Sequence, residues 1–314
     1  MNLLLMNSIK FIKKHPMLNE TFLFNDLSNL PKNEVGLAVL GCPVRHSISP
    51  KLHNAALAVL AEKESSFSLW NYRKIEVLPS DLPSALPKLA EFGFRGLNLT
   101  IPHKVDVLPL LSSIDEKALA MGAVNTLNWE KAEWRGYNTD GVGLSRSIFQ
   151  AFKKQLKEFN ILVLGAGGAA RAAVAQSIFE GCSRVAVFNR SVDRARELCQ
   201  ALVKNGINQN IELLDSIKNP FSGSQEPTLV INATSLGLQL DDPSPIDLSL
   251  LSGKLYVFDM VYNPSVTNLL RQANEKGYPC VNGLGMLVGQ AAKSLEIWSG
   301  REVSTEAMSQ AIQT

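Results

Sequence analysis

The chain has 314 residues, enough for about two domains of roughly 100 to 200 residues each. Hydrophobic residues make up 46% and charged residues 19%, which excludes a disordered chain and suffices for two packed cores. With 31 basic against 29 acidic residues the net charge is +2, so no sequence-wide field draws the chain to nucleic acid or to an anionic membrane.

Residues 1–34 hold three methionines and no clear apolar period, and are read as an N-terminal extension without assigned function. The opening MNLLLM is too short for a signal-peptide core or a bilayer span, and no later run reaches that length, so a cytoplasmic location is expected. From Val35 to Trp129 short apolar runs (VGLAVLG, SFSLWNY, RGLNLT) alternate with helical patterns, an α/β layer with parallel strands. After Asn138 the alternation is more regular. A helix from Gly141 to Phe152 leads to the strand NILVL, a helix over 169–180, the strand RVAVFN, a helix from Asp193, and the strands TLVINAT and KLYVFDMV; this half reads as doubly wound. Two amphipathic helices, Leu284 to Ser299 and Ser304 to Ile312, close the chain. Cys42, Cys182, Cys199 and Cys280 lie scattered with no C-x-x-C pair and are expected to be reduced, mostly buried thiols. His46, His53 and His103 have no acidic or cysteine companion at ligand spacing, so no metal is expected.

The run Gly165-Ala166-Gly167-Gly168-Ala169-Ala170 follows the strand and opens an apolar helix. Gly165 permits a tight turn, and Gly167 lets the backbone approach a pyrophosphate at the helix N-terminus, where free N–H groups and the dipole favour anions. About 20 residues further on, where an NAD site places a carboxylate on the ribose, stand Asn189, Arg190 and Ser191, then Arg194. A carboxylate would repel a 2′-phosphate, whereas a guanidinium binds it, so NADP is the expected cofactor.

Three further segments are unusually polar for their settings. Ser47 and Ser49 leave an apolar strand just before Pro50 starts a helix, a suitable carboxylate receptor, although one serine alone would serve as a helix cap. Asn98-Leu99-Thr100-Ile101-Pro102-His103-Lys104 places a lysine past a strand end and a proline turn, where it can exchange a proton or stabilise an alkoxide. Tyr137-Asn138-Thr139-Asp140-Gly141 puts an aspartate ahead of a helix, as a cap or as a functional carboxylate.

Together with G-A-V-N-T and G-M-L-V-x-Q-A, these segments occur in the order that closely resembles the shikimate dehydrogenase family, from about Gly36 to near the C-terminus. The resemblance implies a two-domain α/β protein. Residues 35–139 and 283–314 would form a substrate-binding catalytic domain to which the C-terminal helices return, and 140–282 a Rossmann NADP-binding domain. It implies NADPH-linked reduction of 3-dehydroshikimate to shikimate, in aromatic amino acid and chorismate biosynthesis, with Lys104 and Asp140 as the catalytic pair. Ser47, Ser49, Thr100, Asn125, Asp140, Tyr262 and Gln290 would surround the substrate. NADP contacts would fall on Gly165, Ala166, Gly167, Gly168, Ala169, Asn189, Arg190, Ser191, Arg194, Met260 and Gly283. The expected partner is this small molecule, with no nucleic acid or membrane and with a homodimer allowed. A quinate/shikimate dehydrogenase able to use NAD, and a non-catalytic NADP-binding regulator on the same fold, are the alternatives.

Overall fold

The computed structural model describes residues 20–29, 34–207, 211–217 and 220–313. It divides into two units, the first holding the chain up to Leu119, Ala123–Thr139 and the chain from Gln290, the second Ala120–Gly122 and Asp140–Gly289.

The first unit is built on strands β1 (Thr21–Leu23), β2 (Val35–Gly41), β3 (Trp70–Glu76), β4 (Phe94–Leu99), β5 (Ser113–Ile114), β6 (Thr126–Glu130) and β7 (Glu133–Tyr137), in the order β1-β3-β2-β4-β6-β7-β5. β2 is apolar throughout and buried after its first residue, as a strand covered on both faces must be. The parallel expectation holds for β2, β3 and β4; β1 also pairs parallel with β3 and β5 with β7, but β6 runs antiparallel to both β4 and β7. β6 and β7 form a hairpin whose two turn residues, Lys131 and Ala132, both have positive φ (51° and 63°), the conformation that matches strand twist in a two-residue connection. One core lies under helix Leu82–Glu91, where Leu82, Ala85, Leu86 and Leu89 meet Leu40, Ile75 and Leu97. Because β3 and β4 flank β2 on opposite sides, the chain reverses direction across the sheet between β2 and β4.

In the second unit β8 (Asn160–Leu164), β9 (Val185–Phe188), β10 (Ile211–Leu214), β11 (Thr228–Asn232), β12 (Leu255–Asp259) and β13 (Cys280–Asn282) form an all-parallel sheet in the order β10-β9-β8-β11-β12-β13. That is the 3-2-1-4-5-6 doubly wound order, with its reversal between β8 and β11. β8, β11 and β12 are buried along their whole length. The alanine-rich helix Gly168–Phe179 packs against them through Ala170, Ala173 and Val174, an apolar surface suited to a fully covered helix. Small residues also bring helix Asp140–Phe152 close to the start of helix Leu284–Ser299: a Cβ on Gly289 would stand 3.0 Å from the Cα of Gly143, and one on Gly285 would stand 2.5 Å from the Ser147 hydroxyl. Only one of the four thiols, Cys182, is buried rather than most of them, and burial pushes it up to about 12.

Candidate active site

In the first unit the loops after β2 and β4 lie side by side at the reversal point. Cys42 N–H donates to the Ile101 carbonyl at 3.2 Å, and Gly41 has no room for a Cβ, which would stand 2.4 Å from Thr100 Cγ2. Ser47 is half-buried and its hydroxyl accepts from the Ser49 N–H at 3.3 Å. The helix that follows, Ser49–Lys63, begins at Ser49 itself with Ile48 as N-cap, so neither serine stands at the N-cap position. Thr100, half-buried, accepts at its carbonyl from His103 N–H (2.9 Å). His103 is buried, and because a carbonyl can only accept, its Nε2 carries the proton that it donates to Val77 O at 2.8 Å. Burial lowers its imidazole below the ordinary value, against weaker pulls from Val77 and Asp106. Lys104 follows on this anchored turn, half-buried, and its carbonyl accepts from Val124 N–H at 2.8 Å.

That bond brings the Lys104 turn to Asn125. Asn125 is buried, its Oδ1 accepting from Thr139 N–H (2.8 Å) and Thr126 Oγ1 (2.9 Å), and its Nδ2 donating to Thr139 Oγ1 (3.0 Å). Leu99 N–H donates to the Asn125 carbonyl at 2.8 Å. Main-chain bonds of Leu99, His103 and Val124 thus bring the loop of Thr100 and Lys104 to Asn125, and the Asn125 amide is bonded in turn to Thr139, about forty positions after Thr100. Asp140, which follows Thr139, is buried and lies in the first turn of helix Asp140–Phe152 rather than ahead of it. Gly141 lies against Gln176, and a Cβ there would stand 2.4 Å from Gln176 Oε1, so that side chain would have to move. Gln290 is half-buried.

In the second unit the glycine loop leaves β8 at its own reversal point. Gly165 has φ +117° and a Cβ there would stand 2.8 Å from the Ala233 carbonyl of the loop after β11, so only glycine fits. A Cβ on Gly167 or Gly168 would meet nothing within 4 Å, which leaves an open cradle. Ala166 and Ala169 flank it, half-buried. Helix Gly168–Phe179 has Gly167 as N-cap, no side-chain cap and no acidic residue in its first turn, so its first N–H groups face the cradle with the positive end of the dipole.

Past β9, Asn189 Nδ2 donates to the Ser191 carbonyl at 2.9 Å. Ser191 caps helix Val192–Lys204, its hydroxyl accepting from Arg194 N–H. Arg190 and Arg194 are exposed, and neither forms an ion pair with an acidic residue among the described residues, unlike Arg196, which pairs with Asp193 at 2.6 Å. The residues thus fit NADP: an open glycine cradle on an uncapped helix start for the pyrophosphate, and beyond it two guanidinium groups without carboxylates for the 2′-phosphate.

At the ends of β11 and β12 lies a cluster that the sequence reading does not single out. Asp259, wholly buried, accepts from Asn232 Nδ2 (2.8 Å), Val261 N–H (3.0 Å) and Thr267 Oγ1 (2.5 Å); burial raises its carboxyl despite these bonds. Asn232 in turn accepts from Thr234 N–H at 3.0 Å. This anchors the segment that carries Met260 and Tyr262, both half-buried, the Tyr262 phenol pushed up by burial. Gly283 packs directly on Met260. The only sequence trace of this cluster is a polar residue ending each of two apolar strands.

Family models match in chain order: the shikimate dehydrogenase substrate binding domain over residues 39–127, shikimate / quinate 5-dehydrogenase over 144–242, and the shikimate 5'-dehydrogenase C-terminal domain over 283–313. A relative from Geobacter metallireducens named shikimate dehydrogenase (NADP(+)) is 42% identical over 268 residues, 85% of this chain and 91% of its own. This chain belongs to the shikimate dehydrogenase family. Among solved structures, shikimate 5-dehydrogenase from Thermus thermophilus, in complex with NADP(H) and shikimate, superposes with TM-score 0.74 at 33% identity, covering 89% of this chain and 98% of that one. The family fold also serves a quinate dehydrogenase from Corynebacterium glutamicum in complex with NAD, with TM-score 0.77 at 26% identity, covering 89% and 99%. No helix among the described residues is long and apolar enough to cross a membrane.

Proposed function

We infer that the chain catalyses the reversible, NADPH-linked reduction of 3-dehydroshikimate to shikimate. The observation that carries this reading is that, in a member of this family, main-chain bonds of Leu99, His103 and Val124 bring the loop of Thr100 and Lys104 to Asn125, whose amide is bonded to Thr139. NADP supplies the hydride chemistry when bound, and Gly165 to Ala169, Asn189 to Arg194, Met260 and Gly283 are the residues that hold it.

The remaining work belongs to side chains. Ser47, Ser49 and Tyr262 donate hydrogen bonds to the substrate carboxylate, and Thr100, Asn125 and Gln290 contact the ring hydroxyls. Lys104 exchanges the proton at the reacting ring oxygen, and its cationic form stabilises developing alkoxide. Asp140 accepts from a neighbouring ring hydroxyl. With a small-molecule substrate and no sequence-wide basic field, the reading carries a cytoplasmic enzyme without a nucleic-acid partner, as a monomer or homodimer.

Initial rates with shikimate and quinate, each with NADP and NAD, test it. Shikimate with NADP should exceed every other pair in kcat/KM by about tenfold or more, equivalent to ~1.4 kcal/mol. A preference for quinate and NAD would move the chain to the quinate reading, and no turnover with any pair would leave a binding protein. In Lys104→Ala, kcat should fall by at least about a hundredfold with shikimate KM nearly unchanged, because the amine acts on charge that develops in the transition state.

A further inference from the structure

We propose that Ser294 is a positioning residue for substrate: its hydroxyl, on the C-terminal helix, locks the amide of Asn125 and the helical turn of Gln290 in place. The proposal rests on the function inferred above.

Ser294 is wholly buried in helix Leu284–Ser299, one turn after Gln290. Four polar atoms converge on its Oγ: Asn98 Nδ2 at 3.0 Å, Thr126 Oγ1 at 2.8 Å, Thr139 Oγ1 at 3.1 Å and the Gln290 carbonyl at 3.0 Å. Their roles can be assigned from groups that can only donate or only accept. The Asn125 carbonyl only accepts, so Asn98 points its Nδ2 there (3.1 Å) and its Oδ1 takes the phenol proton of Tyr72 (2.8 Å). Thr139 N–H only donates, so Asn125 turns its Oδ1 toward it. Ser294 donates to Gln290 O, which leaves its oxygen to accept from Thr126 or Thr139, and the second proton of Asn98 is shared between Ser294 Oγ and Thr126 Oγ1, both at 3.0 Å.

The side chains of Asn98, Asn125, Thr126, Thr139 and Ser294 are all buried, and buried polar networks that are fully satisfied fix one arrangement of their side chains. The circuit extends toward helix Ser49–Lys63 through Tyr72, whose phenol donates to Asn98 and whose main chain exchanges two 2.9 Å bonds with the Asn54 amide on that helix. Without the Ser294 hydroxyl, Asn98 and Thr139 each lose a partner. Thr139 Oγ1 can then turn to Asn125 Oδ1 at 3.3 Å, in competition with the bonds that orient that amide.

Steady-state kinetics on purified parent, Ser294→Ala, Tyr72→Phe and Ser299→Ala test the proposal. Ser299 makes the same bond to the carbonyl four residues earlier on the same helix, at 2.6 Å, but has no link to the circuit. Ser294→Ala should raise KM for shikimate about fivefold or more while kcat and KM for NADP stay within about twofold, the pattern of lost ground-state placement. Tyr72→Phe should raise shikimate KM too, the double variant should do less than the product of the two, and Ser299→Ala should leave it unchanged. Parental shikimate KM in Ser294→Ala, or equal rises for shikimate and NADP, would overturn the proposal. If Ser294→Ala does not fold, a folded Tyr72→Phe with parental shikimate KM overturns it equally. A parent that does not oxidise shikimate removes the functional reading and this proposal together, an outcome distinct from a silent variant.

Discussion

Gly283 touches Met260 backbone to backbone: a Cβ on Gly283 would stand 2.1 Å from the Met260 carbonyl oxygen. No side chain can yield there, because the obstacle is main chain and Gly283 N–H is itself bonded to Val261 O at 3.2 Å. Gly167 is the opposite case, with nothing within 4 Å of a Cβ and φ −88°, open to any residue. Gly283→Ala should therefore cost about 1–3 kcal/mol of stability through forced backbone movement. Gly167→Ala should change stability by less than about 0.5 kcal/mol yet raise KM for NADP about tenfold or more, because only a bound pyrophosphate would meet the new methyl. Urea unfolding and NADP titration of both variants check this. An unchanged NADP KM in Gly167→Ala would place the pyrophosphate elsewhere.

Arg190 and Arg194 should decide cofactor choice. Both are exposed and unpaired with carboxylates among the described residues, and Ser191 already satisfies the helix start, so fold stability does not depend on their charge. Replacing both by neutral residues should raise KM for NADP at least about tenfold, from charge-assisted bonds of roughly 1.5–3 kcal/mol each, and leave NAD nearly unchanged. Equal losses with the two cofactors would assign the arginines another role.

The strand, glycine loop and helix of the second unit were legible because each level agrees: an apolar run, a turn that only glycine can make, then a small-residue helix, read over 169–180 and found at Gly168–Phe179. The β6–β7 hairpin was not, because Lys131-Ala132 carries none of the Asn-Gly chemistry that its positive φ values usually demand. β1, β10 and β13 escaped notice as strands of three or four residues at sheet edges, with few buried side chains to set a period. Motif residues such as Lys104 and Asn125 are visible one segment at a time. Ser294 and Asp259 are not, since a lone serine in an apolar helix or an aspartate at a strand end acquires meaning only when the fold brings Asn98, Thr126 and Thr139, or Asn232 and Thr267, against it.

Acid should destabilise the first unit through His53. Its ring is wholly buried and stacked on Tyr72, centroids 4.0 Å apart and 3° from parallel, and burial drives its pKa from 6.5 down to about 3 against a smaller upward pull from Asn98. The native state therefore holds the ring neutral, while the unfolded chain takes up a proton near pH 6.5. Between those values the unfolded state binds more protons, so stability rises with pH; the contribution is complete above about 6.5 and is lost as pH falls toward 3. Between pH 7 and 5 the parent should lose about 2 kcal/mol more unfolding free energy than His53→Phe, which keeps an aromatic ring but cannot titrate. Parallel urea-unfolding curves for the two would show that His53 does not set this dependence.

Ser47 should prove dispensable to the fold and necessary for substrate. Ile48, not a serine, is the N-cap of helix Ser49–Lys63, so the helix start asks little of the Ser47 hydroxyl. The Ser47 hydroxyl accepts only a long 3.3 Å bond from Ser49 N–H, and its loss should cost at most about 1 kcal/mol. A hydrogen bond to a carboxylate contributes roughly 1.5–3 kcal/mol, so Ser47→Ala should raise shikimate KM about tenfold or more. Ser49 differs in being buried at the first helical position, and Ser49→Ala should lower both affinity and melting temperature. Measuring shikimate KM and melting temperature together on Ser47→Ala separates the two roles. A lowered melting temperature with parental KM would make this hydroxyl structural, and the carboxylate would then need donors outside the β2 loop.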